Sequence, residues 1–358
     1  MGLPFLAHCI TKSFLWRYGP VGTQVTGWER GSDADLLKTP LRHLDLSPVG
    51  GPVEKGIRQL GSELRGKEIG LRPHFWVSDE WFCPDGIPGI AVPFYLLHPR
   101  LIELETQFIG YAEGSDHGWL MKLLRHEMGH VMENAYKLRH KSSRVQAFGS
   151  SEQPYPRSYC PQPYSRRFVR HLEDNYSQSH PDEDFAETFA VWLTPGSQWR
   201  QKYRGWGAME KLRALDQLMA EIKGAAPVVQ NKRVHAPLSG NHQTLGQYFK
   251  AKQKRLGLLS PEYMDSNLQA TFFPPDQSPS GQKAARFLQR HRHTISQRVA
   301  GSLGEPQYLI NQVVDRLSRR AQELGLRVGP GEALEPVLDV VAVQALEDMD
   351  QKRHYISL

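Results

Sequence analysis

Two histidines four residues apart, with a glutamate directly after the first, form the most chemically loaded stretch of this 358-residue chain: His126-Glu127-Met128-Gly129-His130. On a helix, positions i and i+4 share a face, so both imidazoles can reach one metal ion while Glu127 stands beside it. Zinc suits the pair, because it accepts nitrogen and carboxylate ligands, and a catalytic zinc site keeps one position for water. In that chemistry the metal lowers the pKa of the water and Glu127 accepts its proton as general base. The competing reading is a helix whose histidines are surface or satisfied core residues. Gly129 counts against it, since a mid-helix glycine costs about 1 kcal/mol relative to alanine and needs a reason.

A third ligand decides between the two. The metzincin pattern would place a glycine three residues after the second histidine and another histidine three residues beyond. Glu133 and Tyr136 stand there instead, which excludes that class. Downstream runs His180-Pro181-Asp182-Glu183-Asp184-Phe185-Ala186-Glu187-Thr188-Phe189-Ala190-Val191-Trp192. His180 can cap this segment, Pro181 fits the first helical position, and three acids fill the first turn. Glu183 and Glu187 share a face, with Phe185, Phe189 and Trp192 forming the apolar side. Glu183 is the expected third ligand, and Glu187 the carboxylate that orients a ligating histidine. His180 is the rival third ligand, and a solvated acidic turn the bland alternative.

The Glu183-Asp184-Phe185-Ala186-Glu187-Thr188-Phe189 run, following an H-E-M-G-H helix, resembles the gluzincin arrangement of a ligand Glu with a second carboxylate one turn later. It is especially similar to the E-x-F-A-E-x-F helix of anthrax lethal factor, where a tyrosine seven residues before the ligand Glu assists catalysis. Tyr176 occupies the matching position here. The longer pieces Trp81 to Pro93 and Ser179 to Trp192 resemble bacterial proteins grouped as zinc-binding metallopeptidases, over roughly residues 70–205. The resemblance implies an α+β, zincin-like core and a zinc-dependent peptidase acting on a peptide or protein substrate. In that scheme His126, His130 and Glu183 hold Zn²⁺, and Tyr176, or else His180, donates a hydrogen bond to the oxyanion.

Other elements must position these residues. Val53, Ile57, Leu60 and Leu64 recur at helical spacing within an amphipathic helix over Val53–Ile69. The aromatic and β-branched run from His74 to Phe82 predicts a strand, Cys83-Pro84-Asp85-Gly86 a turn, and Ile90–Leu97 a second strand. Pro93 cannot donate to a ladder, so the second strand is expected at a sheet edge, where an extended substrate could pair with it. Leu120–Leu138 is the clearest helix, with Ser115 or Asp116 as its cap. Residues 144–165 interleave four prolines with three tyrosines, a loop long and irregular enough to be functional. Helices are expected over Arg166–Asn175 and Pro181–Trp192. Thr271–Gly281 reads as a linker, and 284–358 as helical, with Gly329-Pro330-Gly331 separating two helices.

The expected division is therefore an N-terminal region over 1–70 packing on the core, a catalytic core over 71–225, a basic segment and linker over 226–283, and a helical region over 284–358. Charge is uneven. Residues 224–300 carry eleven Lys/Arg against three Asp/Glu, a local +8 in a chain whose formal total is +6. Such a segment could track phosphates, but no finger, RNP or helix-turn-helix signature accompanies it, so a nucleic-acid role is the lesser reading beside a solvated helix face. A zinc-stabilised binding module without turnover is the other rival.

Three cysteines, Cys9, Cys83 and Cys160, without a C-x-x-C pair exclude a disulfide scaffold and a thiolate zinc finger. The absence of a G-x-S-x-G elbow argues against serine catalysis. No apolar run is long enough to cross a bilayer. Met1 to Ile10 makes a poor secretory signal, so the expected location is cytoplasmic.

Overall fold

A computed structural model describes residues 27–354 apart from 157, 158, 160, 161, 163, 257–260, 279, 306 and 330–333. Cys9, Cys160, the N-terminal decapeptide and most of the Gly-Pro-Gly separator lie outside the described residues. Among the described residues the protein is α+β: predominantly helical, with one small sheet. Among the described residues no helix is long and apolar enough to cross a membrane.

Helix α1 (Pro52–Gly66) opens with proline at its start and turns Val53, Gly56, Leu60 and Leu64 inward. Strands β1 (His74–Ser78) and β2 (Gly89–Pro93) pair in parallel, with Trp76 opposite Ala91. The expected edge strand differs from the reading in two respects. It ends at Pro93, beyond which Phe94–Leu97 tightens into a 3₁₀ turn, and all five of its residues are buried. On the side away from β1, the Ala91 N–H donates to the Phe82 carbonyl at 2.9 Å. The chain itself thus takes part of the edge that an extended substrate was expected to use. β1 likewise stops at Ser78, because Phe82 leaves the strand to make this bridge.

Helix α2 (Pro99–Ile109) follows, and helix α3 (His117–Tyr136) carries the H-E-x-x-H residues. Asp116 caps α3 by accepting from the Trp119 N–H at 2.9 Å. The helix expected over Arg166–Asn175 is absent. That stretch is irregular, then makes a 3₁₀ turn over Glu173–Gln178. The carbonyl of Arg166 accepts from the Ala208 N–H, and Arg170 exchanges hydrogen bonds with the Tyr203 hydroxyl, so tertiary partners replace helical ones. Helix α4 (Pro181–Leu193) and helix α5 (Ala208–Glu221) complete this part.

The basic segment belongs to the same core. Val228 and Val229 both donate to the Ala135 carbonyl, and the Trp76 indole donates to the His235 carbonyl at 2.9 Å. Helix α6 (Leu245–Arg255) buries Leu245, Tyr248 and Phe249. Lys252, expected on a solvated basic face, is buried 2.8 Å from Glu105 and 3.2 Å from Glu80, and Arg255 also pairs with Glu80. Two of the four cations in the densest run are thus neutralised within the fold. One apolar core extends from Leu36 to Phe249, so the expected boundary at 225/226 does not divide the packing.

A second core runs from Leu268 to Ala345, through helices α7 (Pro261–Thr271), α8 (Ala284–Leu303), α9 (Gln307–Glu323) and α10 (Leu334–His354). The expected linker opens inside it: Phe272 is buried, and Phe273 exchanges two backbone hydrogen bonds of 2.8 Å with Arg327.

Candidate metal centre

Helices α3 and α4 approach so closely that one residue on the former must lack a side chain. A Cβ on Gly129 would lie 2.6 Å from the Ala186 Cα, nearer than real carbon atoms come. This is the reason for the mid-helix glycine. The contact puts His126 and His130 of one helix opposite Glu183 and Glu187 of the other.

The first of these glutamates faces both imidazoles. Glu183 Oε2 lies 3.0 Å from His126 Nε2 and 3.3 Å from His130 Nε2, and the two Nε2 atoms are 3.3 Å apart. All three side chains are buried. A tetrahedral site with bonds of about 2.0–2.1 Å sets its ligand atoms roughly 3.3–3.4 Å from each other, so the triad has the spacing and donor chemistry to hold a metal ion. Glu187 supports it from behind: Oε1 accepts from His126 Nδ1 at 2.9 Å, and Oε2 accepts from the Leu172 N–H at 2.9 Å. That bond fixes the His126 tautomer and leaves Nε2 free to face the triad.

Electrostatics calls for a cation at the same place. Glu127, Glu183 and Glu187 surround two imidazoles in a buried space. Burial disfavours charge on His126, yet Glu183 and Glu187 outweigh it and raise its pKa well above the ordinary value. His130 is raised in the same way, its burial outweighed by Glu183. Glu183 is held well below the usual carboxylate range, because the imidazoles overcome the cost of burying it. The protein atoms alone thus draw positive charge into the triad. Burial raises the Glu127 carboxyl against the pull of His126 and His130, and its Oε2 is buried without a hydrogen-bond partner. An unpaired buried carboxylate oxygen is costly unless something else, such as a water or substrate proton, meets it.

Tyr176 stands where expected, its ring centroid 5.5 Å from that of His126. Burial, then Glu183 and Glu127, push its phenol well above the ordinary value, so it remains a donor. His180 does not join the site as either ligand or donor to substrate. Its Nδ1 accepts from the Asp182 N–H at 3.2 Å, and its Nε2 donates to the Gln153 carbonyl at 2.8 Å. It is the helix cap, with both ring nitrogens occupied.

Three residues near the triad have no motif to announce them. Tyr155, in the Pro/Tyr loop, donates to Glu183 Oε1 at 3.1 Å and stacks on His180 with centroids 3.7 Å apart. The proline-tyrosine composition flags the loop but does not choose among its tyrosines. Arg144 is wholly buried on the short helix Ser142–Phe148. It donates to Glu133 at 2.7 Å, Asp182 at 2.6 Å and the carbonyls of Gly149 and Pro181. It thereby ties the C-terminal half of α3 to the start of α4. Asn134, one turn past His130, holds the 83–87 turn, accepting from the Gly86 N–H and donating to the Pro84 and Ile87 carbonyls. Nothing in the sequence around Arg144 or Asn134 signals these partners, because both reach across to segments far along the chain.

Comparison with protein-family models, with curated proteins and with solved structures returned no match. What the site can do therefore rests on its own atoms.

Proposed function

We propose that the protein is a zinc-dependent metallohydrolase of the zincin type that cleaves peptide bonds. The observation that carries this reading is the convergence of His126 Nε2, His130 Nε2 and Glu183 Oε2 beside the unpartnered carboxylate oxygen of Glu127. A binding site for a purely structural zinc is closed by four protein ligands. Among the described residues three converge, with a potential base next to them.

When bound, a divalent metal supplies Lewis acidity and lowers the pKa of water. His126, His130 and Glu183 would hold it, and Glu187 keeps His126 in the required tautomer. Glu127, whose buried Oε2 has no hydrogen-bond partner, would take a proton from the attacking water and return it to the departing amine. Tyr176, kept protonated by burial and then by its carboxylate neighbours, would donate to the developing oxyanion. The preference for peptide bonds rests on the E-x-F-A-E-x-F resemblance. The nucleic-acid reading loses part of its basis, since Lys252 and Arg255 are engaged with Glu80 and Glu105.

Glu127→Gln tests the base. The variant is expected to retain metal and to lose about 10²–10⁴-fold in hydrolysis of a peptide library. Turnover at the wild-type rate would contradict the assignment.

A further inference from the structure

Glu183 presents its two oxygens to different partners. Oε2 faces both histidines, while Oε1 is turned away and accepts from the Tyr155 hydroxyl at 3.1 Å. A carboxylate can bind a metal through one oxygen or both, and the difference matters here. Coordination through both oxygens would add a fifth ligand beside the water and crowd the position that a hydrolytic site keeps open for it.

We infer that Tyr155 is a positioning residue which holds Glu183 to one-oxygen coordination and so preserves the open position. The inference rests on the His-His-Glu metal reading above. A charge-assisted hydrogen bond to Oε1 is lost if that oxygen rotates towards the metal.

The ring is itself held. His180 stacks under it at 3.7 Å with an interplanar angle of 20°, and the same imidazole anchors the Gln153 carbonyl two residues earlier. His180, whose position before the acidic helix suggested a ligand, thus acts as the platform for Tyr155. Separately, Gln162 and Gln178 exchange hydrogen bonds of 2.7 and 3.0 Å. One side of Glu183 is therefore fixed by Tyr155 and His180, neither of them a member of the ligand group.

Tyr155→Phe keeps the stacked ring and removes only the donor. The tyrosine is 44% exposed, so the substitution leaves the fold intact. The experiment is X-ray absorption of the zinc-loaded full-length wild type and variant, with metal content and peptide hydrolysis measured on the same samples. The expected result is four-coordinate zinc in the wild type and a fifth, oxygen ligand in the variant at unchanged stoichiometry, with hydrolysis reduced about 10–100-fold. A merely structural role for Tyr155 would leave the coordination number unchanged, and that result overturns the inference. Metal bound by both oxygens in the wild type overturns it too. A wild type that takes up no divalent metal overturns this inference together with the metal reading. Metal bound and shifted as expected, but without hydrolysis in either protein, sustains the inference and removes the peptidase assignment alone.

Discussion

The first core buries Glu127, Glu133, Arg144, Asp182, Glu183 and Glu187 within and around the helix pair of the candidate metal centre. Among the described residues of the second core, the buried polar groups are Ser278, Ser296, Ser318 and Gln344, none of them charged. Ion pairs in the second core, such as Arg292–Asp315 and Arg298–Glu335, lie at its exposed rim. A helical assembly can thus be held by apolar packing with charge at the margin. Burying this much charge needs a reason, because desolvating an ion costs more than most pairings return. In the first core the carboxylates are grouped around imidazoles and guanidiniums, which points to a site rather than to stability.

The contrast is tested most severely at the arginines. Arg144→Met would leave Glu133 and Asp182 buried without their main donor, at an expected cost of about 3–5 kcal/mol in chemical denaturation. Arg292→Ala, which breaks a half-exposed pair in the second core, should cost no more than ~0–1 kcal/mol. Equal costs would remove the distinction between the two regions.

The next effect is read against pH. Burial outweighs the pull of Lys211 and pushes the Asp184 carboxyl up to about 7 from its ordinary 3.8. Between those values the native state binds more protons than the unfolded chain, so stability falls as pH rises across that window. Asp184→Asn should flatten that slope in denaturation curves taken from pH 4 to 7 (the range is set by the two pKa values). An unchanged slope would show that Asp184 is ionised throughout.

Gly129→Ala sharpens the comparison through packing alone. In an ordinary helix the change stabilises by about 1 kcal/mol. Here the added methyl meets the Ala186 backbone, so a net loss of about 1–3 kcal/mol is expected, with weakened metal binding as the helices separate. A stabilised variant with full metal affinity would contradict the proposed closeness of the two helices.

How legible these features are in the sequence depends on whether their determinants are local. His126, His130, Glu183 and Glu187 can be read from i, i+4 spacing, and Asp116 and His180 from helix-start chemistry, because each signal lies within one turn of its consequence. Arg144 and Tyr155 carry no such local signal, since the carboxylates they bind lie 11 and 38 residues from the first and 28 from the second, on segments of different geometry. The Arg166–Asn175 stretch has helical composition but gives its backbone groups to Tyr203 and Ala208, a tertiary override of local preference. The basic run misleads for a similar reason. Lys252 and Arg255 look solvated until Glu80 and Glu105, more than a hundred residues earlier, are brought against them. Helix-start chemistry puts His180 at the head of its helix, but its role follows only from what occupies its two nitrogens.

The most direct test of the central claim is elemental analysis of the wild type and Glu183→Ala, purified identically and supplied with zinc. About one zinc per chain in the wild type, lost or strongly weakened in the variant, is the predicted result. Equal zinc in both proteins would contradict the His126-His130-Glu183 assignment, and no zinc in either would contradict the metal centre itself.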